Sequence, residues 1–125
     1  MLWKISFAVL TSGAMLLALS AAEVPSKEEQ GKALFARRCS GCHAPDLNKE
    51  GPRLRGVFGR DAASIPDFAY SEALKKVRIR WDEATLEQWL SDPDTMVPDT
   101  DMAFSLKDGE ERKAVIAYLK SLRTQ

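Results

Sequence analysis

Two thiols and an imidazole lie within five consecutive residues, Cys39-Ser-Gly-Cys42-His43, and the chain's whole supply of cysteine (two) and histidine (one) is in this cluster. The spacing is C-x-x-C-H. Thiols three residues apart on one helical turn face the same way and can each bond one vinyl group of a single haem, while the next residue sets an imidazole under the iron. Three other chemistries compete for these residues. A dithiol redox pair expects a βαβ surrounding, which the hydropathy pattern does not provide. A zinc site needs a fourth ligand, and no further Cys or His exists to supply it. A local disulfide, the usual reading of two cysteines in an exported chain, leaves His43 without a role. Haem attachment accounts for all three residues.

With His43 unique, a second axial ligand has to come from another residue type. Beyond the N-terminal leader the methionines are Met96 and Met102. Either thioether could bind iron and raise its reduction potential. Met102 is better placed, because it sits in a polar-flanked stretch, Asp99-Thr100-Asp101-Met102-Ala103-Phe104, where helix packing would not explain it. The commoner fate of a methionine, filling an apolar gap, stays open for both.

The elements that must position these groups read as helices and long irregular segments. Residues 1–22 carry one charge, Lys4, then an apolar run over 5–19 that closes on Ser20-Ala21-Ala22. This is the layout of a secretory signal cleaved after Ala22, and the run is short against the roughly 20 apolar residues a membrane span needs. The expected division is therefore a signal peptide, 1–22, and one domain, 23–125. Loss of the leader removes one lysine and no acidic residue, leaving 17 basic and 18 acidic side chains, a formal balance of −1. That excludes the basic excess of a nucleic-acid binder and gives no reason to expect stable membrane insertion of the mature chain.

Ser26-Lys-Glu-Glu29 is a capping box and predicts a helix from there to about Cys42, with Leu34 and Phe35 inward and Arg38 outward. Gly51, Pro52, Gly56, Gly59 and Pro66 break any helix between residues 44 and 68. A short helix is expected over 71–76. Asp82 caps another, carrying Leu86, Trp89 and Leu90 and stopped by Asp92-Pro93. Residues 94–106 read as irregular. Asp108 and Glu111 form a second capping-box pattern ahead of Val115, Ile116, Tyr118, Leu119 and Leu122, which recur at helical spacing. No segment alternates like a strand, so the fold class is all-α. Two long irregular stretches in so short a chain make a poor core, which a large apolar cofactor at the centre would complete.

In order and spacing these pieces resemble class I cytochrome c, the mitochondrial type and its soluble bacterial relatives. The resemblance runs from Gly31 and Phe35 through the C-x-x-C-H motif to Gly51-Pro52-Arg-Leu54-Arg-Gly56-Val-Phe58-Gly59-Arg60. It continues through Phe68-Ala-Tyr70-Ser71, Trp81, Leu86, Leu90, Pro93 and Pro98-Asp-Thr100-Asp-Met102-Ala-Phe104 to Ile116-Ala-Tyr118-Leu119. It implies a small single-haem fold with crossing N- and C-terminal helices and one haem c attached through Cys39 and Cys42. It implies His43 and Met102 as the two iron ligands. The carbonyl of Pro52 would accept from the His43 ring, and Arg60, Tyr70 and Trp81 would hold the buried haem propionate. Read without the resemblance, Tyr70 and Trp81 would be ordinary core aromatics and Arg60 a solvated charge.

Two departures from the mitochondrial pattern carry expectations of their own. The polar network of Asn, Tyr and Thr often found beside the methionine ligand is replaced by Leu74, Trp89 and Thr100, which predicts a drier, altered pocket and a shifted potential; an unmoved potential in a Leu74→Asn, Trp89→Tyr double variant would contradict it. The lysines that surround the exposed haem edge of the mitochondrial type give way to Asp92, Asp94, Asp99 and Asp101, with no Lys or Arg between Asp92 and Leu106. The expected partner face is accordingly basic or neutral.

The function expected is a single-electron carrier, not an enzyme, passing electrons between a redox protein donor and acceptor in the periplasm. The alternative is a haem c subunit of a larger periplasmic dehydrogenase or oxidase.

Overall fold

The capping residues start the helices. In the computed structural model α1 runs Lys27–Arg38, and both arms of its capping box are formed: Ser26 N–H donates to Glu29 Oε2 at 2.8 Å and Glu29 N–H to Ser26 Oγ at 3.2 Å. The structure describes residues 17–123 together with Leu2 and Gly13, so the expected signal peptide lies largely outside the described residues.

The helix stops earlier than its sequence implies. Cys39 is the C-cap, not an interior residue, and Ser40 N–H reaches back to Phe35 O at 3.0 Å. Ser40-Gly41 is the physical reason: both are weak helix formers, and the Ser40 hydroxyl takes the Ala36 carbonyl at 2.6 Å. A single turn follows, in which Cys42 and His43 N–H both donate to Cys39 O, at 3.1 and 2.9 Å.

Downstream, α2 is Glu72–Lys76 behind the Ser71 cap and α3 is Glu83–Ser91 behind Asp82. Asp92-Pro93 ends α3 as expected, but it also begins a turn that sequence reading missed, α4 (Pro93–Met96). The Asp92 carboxylate accepts from Thr95 N–H at 3.2 Å and from its hydroxyl at 2.8 Å, and Pro93 opens a helix without needing a donor partner. Last comes α5, Gly109–Ser121. Asp108 Oδ1 accepts from both Glu110 and Glu111 N–H, at 2.8 and 2.9 Å, in place of the reciprocal box expected with Glu111.

The terminal helices α1 and α5 cross at Gly31. A Cβ there would lie 1.9 Å from the Ala114 carbonyl oxygen, so no larger residue permits this approach. Phe35 and Tyr118 seal the crossing, their ring centroids 5.3 Å apart. The core continues through Leu86, Trp89 and Leu90 of α3 and Val115, Ile116 and Leu119 of α5.

Long-range bonds hold the irregular segment that follows His43. Gly56 N–H donates to Leu122 O at 2.7 Å. Gly59, at a φ of 90° that favours glycine, donates to Trp81 O at 2.6 Å. Trp81 N–H returns to Arg60 O at 2.9 Å beside an antiparallel bridge between Asp61 and Arg80, and no regular strand forms among the described residues. This narrow pairing sets Arg60 and Trp81 next to one another. No helix among the described residues is long and apolar enough to cross a membrane.

Candidate functional site

A cavity of about 420 Å³ opens between α1, α3, α5 and the two irregular segments, and every site residue expected from sequence lines it: Cys39, Cys42, His43, Pro52, Arg60, Tyr70, Trp81 and Met102.

His43 is set by a glycine and a proline. Its Nδ1 is 2.9 Å from Pro52 O. A carbonyl can only accept, so Nδ1 carries the proton and Nε2 keeps a free lone pair. Burial pushes the imidazolium pKa down, more than the Pro52 contact pushes it up, which favours the neutral ring, the form able to bind a metal. Gly51 walls the ring on another side. A Cβ there would sit 2.2 Å from His43 Cε1 and 2.6 Å from Nδ1, a contact no real side chain makes. Sequence reading treated Gly51 as a helix breaker and a landmark of the resemblance. Its contact with the ring had no sequence signal, because a glycine's neighbours are not written in its spacing.

Cys39 and Cys42 form no disulfide with one another. Burial raises the Cys39 pKa, and the Cys42 pKa is raised chiefly by its hydrogen bond to Glu50 Oε2, at 3.4 Å.

Met102 arrives on the second irregular segment. Its sulfur accepts a hydrogen bond from the Trp89 indole Nε1–H at 3.1 Å. Sequence reading placed Leu74, Trp89 and Thr100 beside Met102 but expected the pocket to lose polar character. All three line the cavity, and Leu74 is buried there. The donor to sulfur is nevertheless retained, because an indole carries an N–H at the rim of an otherwise apolar ring system. Trp89 packs edge-on against Trp81, their centroids 5.3 Å apart, which holds the indole in place.

Arg60 is half-buried and donates to two carbonyls, Arg53 O at 3.1 Å and Arg55 O at 3.3 Å. It has no carboxylate partner among the described residues, and burial lowers its pKa. A desolvated cation on a cavity wall without an anion is an incomplete pair. Tyr70 stands nearby with its hydroxyl accepting from Ile65 N–H at 3.2 Å.

This donor set fits a haem: two thiols, a neutral imidazole with an oriented lone pair, a thioether and a half-buried guanidinium without a carboxylate partner among the described residues, all on one mostly apolar cavity. The cytochrome c family model matches residues 28–123. The chain belongs to the cytochrome c family. It is a class I cytochrome c, all-α, an electron carrier with one covalently bound haem c rather than an enzyme. A cytochrome c of Euglena viridis is 41% identical over 98 residues, spanning 76% of this chain and 96% of that protein. Cytochrome c2 iso-2 of Magnetospirillum molischianum is 43% identical over 88 residues, 68% of this chain and 91% of its own. Among solved structures, cytochrome cH from Methylobacterium extorquens has a TM-score of 0.70 at 42% identity, covering 74% of this chain and 95% of that one.

Proposed function

We propose that this cytochrome c works in the periplasm after removal of residues 1–22, moving single electrons in a respiratory or related chain, with haem attached through Cys39 and Cys42 and iron held by His43 and Met102. The observation that carries this reading is that the thiols, the imidazole lone pair and the methionine sulfur line one cavity. The haem supplies the redox chemistry. The chain supplies position and environment. Pro52 and Gly51 orient the His43 ring. Trp89 occupies one lone pair of the Met102 sulfur and draws electron density from it. Arg60, with Tyr70 and Trp81 alongside, offers a buried propionate its missing countercharge.

The donor and acceptor are redox proteins. None of Asp92, Asp94, Asp99 and Asp101 forms an ion pair among the described residues. Their charge is free to meet a basic face, so electron-transfer rates with such a partner are expected to fall as salt is added. Rates independent of salt would remove the electrostatic part of the proposal.

The central test is the absorption spectrum of the exported protein, oxidised and reduced, before and after acid–acetone extraction and with carbon monoxide added. Colour that stays with the protein, low-spin reduced bands and no response to carbon monoxide are expected. Loss of the weak far-red band in Met102→Ala, with new carbon monoxide binding, assigns the ligand. A far-red band that survives in Met102→Ala overturns the assignment.

A further inference from the structure

Among the ion pairs of the described residues Arg112 is the most buried cation, its side chain 15% exposed, whereas the cations of the other pairs are at least 33% exposed. It lies on α5, away from the cavity lining. Its Nε donates to Glu87 Oε1 on α3 at 2.6 Å, and one terminal nitrogen donates to Leu106 O and Lys107 O, both at 2.8 Å. Those carbonyls close the segment that carries Met102, just ahead of the Asp108 cap. Neither accepts a backbone N–H among the described residues, so the guanidinium supplies the partner that the carbonyl of buried Leu106 requires and caps the exposed Lys107 carbonyl beside it.

What Arg112 holds is the loose wall of the site. Residues 101–105 make no backbone–backbone hydrogen bond among the described residues. The loop is fixed at its far end by Leu106, which is 1% exposed and donates to Leu90 O at 2.7 Å, and by Arg112 on the same residue's carbonyl. Glu87, the acceptor of Arg112, lies two residues before Trp89, which meets the Met102 sulfur. One side chain therefore joins the helix that contacts the methionine, the end of the methionine's loop and the C-terminal helix.

We infer that Arg112 is a positioning residue for the methionine wall: its three bonds keep the Met102 loop closed and thereby set how readily an outside ligand takes the iron position. This rests on Met102 being an iron ligand. A charge-assisted, largely desolvated fork is suited to the task, since it binds two carbonyls and a carboxylate in fixed directions that a lysine cannot reproduce.

The test measures capture of added imidazole by the ferric holoprotein, followed as loss of the far-red band. Arg112→Gln is expected to speed capture about tenfold, the weight of one charge-assisted hydrogen bond. Arg112→Lys should fall between it and the parent, and Glu87→Gln should speed capture less. Ile116→Val serves as the stability control, because Ile116 is buried in the same helix but does not line the cavity and makes no bond to the loop through its side chain. It should lower Tm without faster capture. Parent-like capture in Arg112→Gln overturns the inference, as does a rise that Ile116→Val matches. Should Arg112→Gln fail to fold, Arg112→Lys and Glu87→Gln carry the comparison, and unchanged capture in both overturns it. Met102→Ala separates the two failures. A retained far-red band there sinks the ligand reading itself, while a lost band with normal Arg112 variants sinks only this inference.

Discussion

The two walls of the cavity are built by different means. On the His43 side the chain ties itself together locally: His43 N–H to Cys39 O, Gly51 N–H to Cys42 O at 2.8 Å, Leu54 N–H to Ala44 O at 3.1 Å and the ring to Pro52 O at 2.9 Å. None of these bonds spans more than ten residues. On the Met102 side the backbone over residues 101–105 makes no such bond among the described residues, and the restraints come from Trp89 on α3 and Arg112 on α5. The histidine wall is rigid by its own sequence. The methionine wall is as firm as the helices behind it, and local opening belongs to segments with few backbone bonds.

The largest effect that would sharpen this contrast is steric. Gly51→Ala puts a methyl 2.2 Å from the His43 ring, and the holoprotein should lose about 3 kcal/mol in urea unfolding, the upper end of overpacking costs. Ala103→Gly, on the exposed part of the methionine loop, should cost about 1 kcal/mol or less. Equal losses at the two sites would break the comparison.

A middle-sized effect concerns the potential. With Met102 as the iron ligand proposed above, an N–H on its sulfur would weaken its donation to ferric iron more than to ferrous iron and so favour the reduced state. Trp89→Phe removes that donor and should lower the midpoint potential by roughly 40 mV, one hydrogen bond of about 1 kcal/mol expressed for one electron. Redox titration decides the matter, and a potential that rises or stays put would show that the indole is packing alone.

The smallest lies outside the cavity lining. Glu110 is held between Lys113 and Lys27, at 2.8 and 2.7 Å, and its carboxyl is lowered to about 2, chiefly by the hydrogen bond from Lys113. A carboxyl depressed in the folded state contributes stability that is present above its unfolded value and lost as pH falls towards 2. Because the group is exposed, screening keeps that contribution slight. Glu110→Gln should lower Tm a little at neutral pH, with the difference from the parent vanishing in acid. A difference that grows in acid would reverse the sign.

Legibility in the sequence followed the same divide. Helix starts were readable at Ser26, Ser71, Asp82 and Asp108, because a cap is a short-range hydrogen bond between residues close in the chain. The α1 end was misjudged, because Ser40 diverts a carbonyl that hydropathy does not register. α4 went unseen, because a turn made by Asp92, Pro93 and Thr95 has no apolar period to announce it. Trp89 was legible as a core residue and as a neighbour of Met102, but not as a hydrogen-bond donor to it. Arg112 was not legible at all, since a charge on a helix ordinarily reads as solvated surface.

By itself the sequence determined the attachment chemistry and the all-α class, both matters of residue type and near spacing, while the crossing of the end helices was legible only through the resemblance. Only the tertiary structure decided which donor meets the Met102 sulfur, which glycine confines the His43 ring and which cation binds the end of the methionine loop. Each depends on side chains meeting across segments whose separation in the chain says nothing of their distance in space, and a loop without bonds of its own takes its position from whatever packs behind it.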